Sequence, residues 1–131
     1  MVSATLHYSG TPYQAHVSAA KAGVDALSAV LAVEEGPRGV RSNVISPGAI
    51  GGTEGFDRLL PKGAEEQALK LMPLGRYGDV EDVANATVFL FSGAASYLTG
   101  QIVVVDGASE NLRTTQLAYP EMVLDPPKAR M

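Results

Sequence analysis

Apolar residues recur every three or four positions between His16 and Glu35, at Val17, Ala20, Val24, Leu27 and Leu31, and Gly36-Pro37 ends the run. That spacing predicts an amphipathic helix, and the glycine-proline pair is its stop signal. Met1 to Leu6 reads as the end of a strand, and Tyr8 to Tyr13, with Gly10 and Pro12, reads as a loop. Val40 to Ser46 is short, partly β-branched and bounded by Gly39 and Pro47. It is expected to form a strand parallel to the first, because a helix joins the two. Strand, helix, strand is the repeating unit of an open α/β sheet.

Gly48 to Gly55 holds four glycines, and Glu54 to Met72 is expected to form one or two short helices broken at Pro61 and Gly63. Together they read as a lid over a site at the carboxyl end of the strands. Asp79, with Asp82 three residues on, predicts the start of another helix whose apolar face is Val80, Val83, Ala84, Thr87, Val88 and Phe91, ending near Gly93. Gln101 to Asp106 is an unbroken apolar run of strand length, the pattern of a strand buried on both faces. Beyond Gly107 there is no period, and Pro120, Pro126 and Pro127 predict a mostly irregular tail.

The 131 residues, 46% of them apolar, fit one globular domain. Ten Lys and Arg against fourteen Asp and Glu leave a net charge of -4 with no basic cluster, which argues against nucleic acid or an acidic membrane as partner. Without cysteine there is no disulfide framework, thiolate nucleophile or Cys-based metal site, and His7 and His16 alone do not make one. No apolar run approaches the ~20 residues that cross a bilayer, and the N-terminus lacks the basic start of a secretory signal.

Lys21 carries the chemistry. A helical lysine taken alone reads as a solvated surface residue. Its context is more specific: the loop Tyr8 to Tyr13, the helix start Ser18-Ala19-Ala20-Lys21, then Asn43-Val44-Ile45-Ser46-Pro47-Gly48, Tyr97-Leu98-Thr99-Gly100 and Val104-Val105-Asp106-Gly107. In order and spacing these resemble the short-chain dehydrogenase/reductases from Val2 to about Gly107. Within that family the chain is most similar to the peroxisomal 2,4-dienoyl-CoA reductases, through Ala4-Thr5-Leu6-His7-Tyr8, His16 to Gly23, Pro47-Gly48-Ala49-Ile50 with Thr53-Glu54-Gly55, and the tripeptide Ala129-Arg130-Met131. The resemblance implies a Rossmann-type doubly wound parallel sheet and NADPH-dependent reduction of a conjugated dienoyl-CoA to an enoyl-CoA.

Most family members pair the lysine with a tyrosine four residues earlier, on the same helix face, where the ammonium holds the ribose hydroxyls and favours the phenolate. Here that place is Val17. The dienoyl-CoA reductases resemble this chain in keeping the lysine without the pair. Their substrate takes hydride at the far end of the conjugated system and gathers charge on the thioester oxygen, so the reaction needs a hydrogen-bond donor near that oxygen and a proton source. Tyr8 is the first candidate donor; packing of a loop tyrosine is the alternative. His16 is a second, with capping or packing as its plain reading, and Tyr13 a third. Ser3 either faces the substrate or is an ordinary strand serine.

By the same resemblance, Pro47-Gly48 brings backbone close to the nicotinamide, Ile50 binds its carboxamide, and Thr53 meets the pyrophosphate. Gly48, Gly51, Gly52 and Gly55 match neither phosphate-loop spacing and read as lid flexibility. Arg58, Lys62, Lys70 and Arg76 either meet CoA phosphates or solvate helices.

A dinucleotide fold places a glycine-rich turn after its first strand and an adenosine-ribose reader after its second. Neither motif occurs in this sequence. The resemblance therefore covers the C-terminal half of a family member, residues 1–110, followed by the tail 111–131. The expectation is a fragment, a truncated product or a misplaced start, with exposed strand edges and helix faces and little NADPH binding or reductase activity by itself. Family resemblance also implies homo-oligomerisation, and Ala129-Arg130-Met131 has the order of a peroxisomal address read by an import receptor. Two alternatives stand beside this: another short-chain carbonyl or alcohol oxidoreductase, or an inactive interaction remnant.

Overall fold

A short parallel sheet organises the chain, and the computed structural model describes residues 1–60 and 62–113 of it. Extended backbone at Val2 bridges Ile45 in parallel, with Ser3 N–H donating to Ile45 O (2.8 Å) and Thr5 N–H to Pro47 O (3.2 Å). The chain then turns into a four-residue helix, α1 (Leu6–Ser9), where loop was expected from Tyr8 onward. Helix α2 (Ala15–Glu34) follows and ends in a 3-10 turn, Gly36–Arg38, closed by Gly39 at φ 78°. Strand β1 (Val44–Pro47) is shorter at its start than the expected Val40 to Ser46 and runs on through the proline.

Helices α3 (Glu54–Leu59) and α4 (Glu65–Leu69) fill the segment between Gly52 and Lys70, with Gly63 between them and Pro61 outside the described residues. Helix α5 (Val80–Phe91) opens with a reciprocal cap: Asp79 Oδ1 accepts Asp82 N–H and Asp82 Oδ2 accepts Asp79 N–H, both at 2.9 Å. Strand β2 (Ile102–Val105) pairs in parallel with β1, Val44 opposite Ile102 and Ser46 opposite Val104. The run after Gly107, expected to be irregular, begins with helix α6 (Ser109–Arg113), whose first turn is capped by Asp106 Oδ2 accepting Glu110 N–H at 2.9 Å. The predicted address Ala129-Arg130-Met131 lies outside the described residues.

One sheet face holds the core. Ile45, Leu90 and Ala95 are buried there with Val83, Ala86, Leu98, Val103 and Val105, so α5 covers this side. On the other face Ser28 and Ala32 of α2 are buried, and Ser28 Oγ hydrogen-bonds Ser42 Oγ at 2.8 Å. Small residues there let the helix lie close to β1. On that face Ile102 and Val104 of β2 are each 44% exposed, which corrects the expectation of a strand buried on both faces.

The helix faces match the periodic reading in part: Val17, Val24 and Leu31 of α2 and Val83 and Thr87 of α5 are half-buried as expected, and other positions differ. In α2 the line Ser28–Ala32 packs while Leu27, Val30 and Val33 stand exposed; in α5 Val83, Ala86 and Leu90 pack while Val80, Val88 and Phe91 are exposed. Each helix is apolar on two sides. For that reason α2 is long and apolar enough by length and composition to cross a membrane, contrary to the sequence reading. It is tied to the rest of the chain along one side: Lys21 and Asp25 bond to the chain's first segment, and Ser28 bonds the approach to β1.

Candidate active site

An open α/β sheet binds ligands beyond the carboxyl ends of its strands. Here those ends are the Val2–Thr5 segment, Pro47 of β1 and Asp106 after β2. A cleft of about 550 Å³ opens beside them, lined by Tyr8, Ser9, Val104, Asp106 and Ala108. A larger one, about 650 Å³, lies at the opposite ends, between Arg41, Phe91 and Tyr97. Only the first adjoins the candidate residues.

Helix α2 sets the register of the site. Lys21 projects toward the first strand segment and donates from Nζ to Val2 O at 3.2 Å, which engages one of its three ammonium donors. Val17, a turn earlier, is half-buried and apolar. Asp25, a turn later, accepts from His7 Nε2 at 2.7 Å, and the two side chains are only 11% and 12% exposed. The Tyr8 hydroxyl lies 3.5 Å from the same Asp25 Oδ2, with its ring against His7 at a centroid distance of 4.3 Å. Burial raises the Tyr8 pKa above its ordinary value; the nearby Ser46 hydroxyl opposes this and the Asp25 charge adds to it. Although close enough to exert that influence, Ser46 Oγ makes no hydrogen bond of standard geometry and is fully buried.

The other donor candidates sit differently. Ser3 is buried with its hydroxyl turned to Lys21 O (3.3 Å), and so it faces α2 rather than the cleft. His16 is exposed in the first turn of α2, and Tyr13, also exposed, holds a left-handed φ of 64°. The structure therefore brings together Lys21 and Tyr8 along one side of α2. It adds His7, Asp25 and Ser46, which sequence reasoning missed. The available signal was Asp25 itself, an acid one turn after Lys21 in an otherwise apolar helix.

The loop after β1 is stapled rather than loose. Gly51 N–H donates to Gly78 O (2.9 Å) and Gly78 N–H to Ala49 O (3.1 Å). Ile50 therefore turns its own N–H and C=O away from Gly78, and its carbonyl receives the Thr53 hydroxyl at 2.8 Å. Thr53 also caps α3 by accepting Phe56 N–H. Pro47 ends β1 with its carbonyl bonded to Thr5.

Gly48 is required by a protein neighbour: an added Cβ would lie 2.7 Å from Asp106 Cβ and 3.0 Å from its Cα. Gly48→Ala is expected to destabilise the chain by about 1–2 kcal/mol, since overpacking costs about 1–3 and the lost chain freedom returns about 0.4–1. Denaturant titration checks this, and an unchanged midpoint would contradict the contact.

Three of the four lid cations are engaged locally. Arg76 makes two bonds to Asp82, at 2.6 and 2.9 Å, which raise the guanidinium's pKa and hold the carboxyl well below the usual carboxylate range. Arg58 pairs with Glu54 and Lys70 with Glu66, both exposed.

The sequence profile of the enoyl-(acyl carrier protein) reductase family matches residues 1–108. The chain is 54% identical over 125 residues to the peroxisomal 2,4-dienoyl-CoA reductase of Saccharomyces cerevisiae, spanning 94% of this chain and 43% of that protein. It is 40% identical over 106 residues to the 3-oxoacyl-[acyl-carrier-protein] reductase of Thermotoga maritima, covering 81% and 42%. A short chain dehydrogenase structure from Bacillus anthracis superimposes with a TM-score of 0.73 at 35% identity, covering 91% of this chain and 44% of that one. The chain thus spans less than half the length of the relatives it matches.

Proposed function

We propose, from the premise that this chain belongs to the short-chain dehydrogenase/reductase family, that it supplies the lysine helix, nicotinamide-side loop and substrate cleft of an NADPH-dependent 2,4-dienoyl-CoA reductase. One observation carries the reading: Lys21 is retained on α2 with the apolar Val17 one turn before it, while a phenol, Tyr8, reaches the same helix one turn after it at Asp25. This arrangement lacks the base for alcohol oxidation and keeps a donor for a dienolate. Because its pKa is raised, the Tyr8 phenol stays protonated through neutral pH and is ready to donate.

The residues present fit the nicotinamide end of the cofactor. Lys21 has two uncommitted ammonium donors for ribose hydroxyls, and Ile50 offers an amide N–H beside the carboxamide position. Thr53, at the N-terminus of α3, gives its hydroxyl proton to Ile50 O and would meet the pyrophosphate only by exchanging that bond, and Pro47-Gly48 fixes the turn that carries both residues. When bound, the cofactor supplies hydride. Tyr8 would then hydrogen-bond the thioester oxygen as charge gathers there and give its proton to the α-carbon of the dienolate, the resulting phenolate regaining a proton from solvent.

Similarity to the Thermotoga 3-oxoacyl reductase favours a second reading, a carbonyl reductase, which Val17 argues against. The assay compares NADPH oxidation by the complete protein with a 2,4-dienoyl-CoA and a 3-oxoacyl thioester. Faster turnover of the oxoacyl substrate would overturn the dienoyl assignment. The 131-residue chain alone is expected to show no micromolar NADPH binding by fluorescence, because the adenosine side has no residues here. Homo-oligomerisation through the exposed apolar sides of α2 and α5, and peroxisomal import through Ala129-Arg130-Met131, complete the proposal.

A further inference from the structure

We propose that Asp25 is a positioning residue for Tyr8, holding its phenol at the cleft through the His7–Asp25 pair, a role that rests on the reading of Tyr8 as proton donor. Among the described residues the buried side-chain polar atoms without a partner are His7 Nδ1, Asp25 Oδ1 and Ser46 Oγ. All three belong to residues around Tyr8. Buried polar groups are normally satisfied, so a cluster left incomplete beside a cleft marks a place where geometry serves something other than stability.

The reason Tyr8 needs holding is local. Helix α1 is four residues long and its N-cap, Thr5, makes no side-chain cap bond. A single turn of helix does not sustain itself. The 2.7 Å bond from His7 Nε2 to Asp25 fastens that turn to α2, and the His7 ring, 4.3 Å from the Tyr8 ring, transmits the placement. The phenol is 3.5 Å from Asp25 Oδ2, long enough for its hydroxyl to turn to a substrate oxygen while the ring stays put. Asp25 is one turn from Lys21, so the same helix registers both groups against each other.

The test compares Asp25→Asn, His7→Ala, His7→Gln and Tyr8→Phe. In Asp25→Asn the Tyr8 phenol, assigned by ultraviolet titration against Tyr8→Phe, should ionise at a lower pH than in the parent, because the carboxylate charge that opposes ionisation is gone. With NADPH and a 2,4-dienoyl-CoA, kcat of the complete protein should fall roughly ten- to a hundredfold in Asp25→Asn and His7→Ala, with KM little changed. His7→Gln, whose amide reaches the same carboxylate, should recover most of the loss. An unmoved phenol titration with unchanged kcat in Asp25→Asn, or a His7→Gln variant no better than His7→Ala, overturns the proposal. Full turnover by Tyr8→Phe would overturn the donor reading alone, and the phenol titration then decides whether Asp25 holds the ring.

Discussion

Lys21→Ala is expected to lower kcat/KM for the dienoyl substrate at least a hundredfold in the complete protein, with little change in its thermal midpoint. The two effects separate because Lys21 is not part of what packs α2. That helix is held by Ser28 and Ala32 against the sheet, and Lys21 contributes one bond, to Val2 O, at an exposed position. Losing such a bond costs little stability. Its remaining donors, by contrast, have no substitute on this face: Val17 is apolar and Asp25 carries the wrong charge for a ribose-holding donor. A hydrogen bond from a charged donor contributes about 1.5–3 kcal/mol, and two such bonds account for a hundredfold, about 2.7 kcal/mol. Steady-state kinetics with NADPH varied shows where the loss falls. Activity within threefold of the parent would remove Lys21 from the site.

The elements were legible because their local signals agree. Asp79 and Asp82 predicted the start of α5, and they form its reciprocal cap; Gly36-Pro37 predicted the stop of α2, and the 3-10 turn begins there. Which side of each helix packs was legible only in part: Val17, Val24 and Leu31 of the expected α2 stripe and Val83 and Thr87 of the α5 stripe are half-buried, while Leu27, Val80, Val88 and Phe91 are exposed. Periodicity reports apolar sides, not covered ones, and both helices have two. The buried line of α2 is marked by small residues, Ser28 and Ala32, because a helix close to a sheet excludes large ones there, whereas Leu27 and Val33 carry the stronger hydrophobic signal and are exposed. At the site, Lys21 and Tyr8 could be named from resemblance. The His7–Asp25 bond spans eighteen positions and forms only because α1 folds back onto α2, a tertiary event with no local pattern. Asn43 and the Tyr97 to Gly100 turn, fifty-odd positions apart, are joined by bonds with no local pattern: Asn43 Nδ2 donates to Leu98 O at 2.8 Å and its Oδ1 accepts Gln101 N–H at 3.1 Å.

Arg41→Ala is expected to destabilise the chain by about 2–3 kcal/mol, because the guanidinium ties the end of α5 to the segment leading into β1 and to the turn before β2. Nη2 donates to Leu90 O at 2.7 Å and Nη1 to Leu98 O at 3.1 Å, so the residue leading into β1 holds both the end of α5 and the turn before β2. Leu90 O lies in the last turn of α5, where a helix leaves its carbonyls unpaired and favours a positive charge. The 3-10 turn that follows does not supply the missing donor, since Ala94 N–H bonds Ser92 Oγ instead. Removing Arg41 therefore leaves Leu90 O without its donor in a part-buried setting, a loss of about 1–3 kcal/mol, while Leu98 O keeps the Asn43 amide. Arg41→Lys should recover only part of the loss, because one ammonium on a flexible stem replaces a two-pronged fork. Urea unfolding of the parent and both variants measures this, and an Arg41→Ala midpoint equal to the parent's would mean that the sheet and α5 hold together without the clasp.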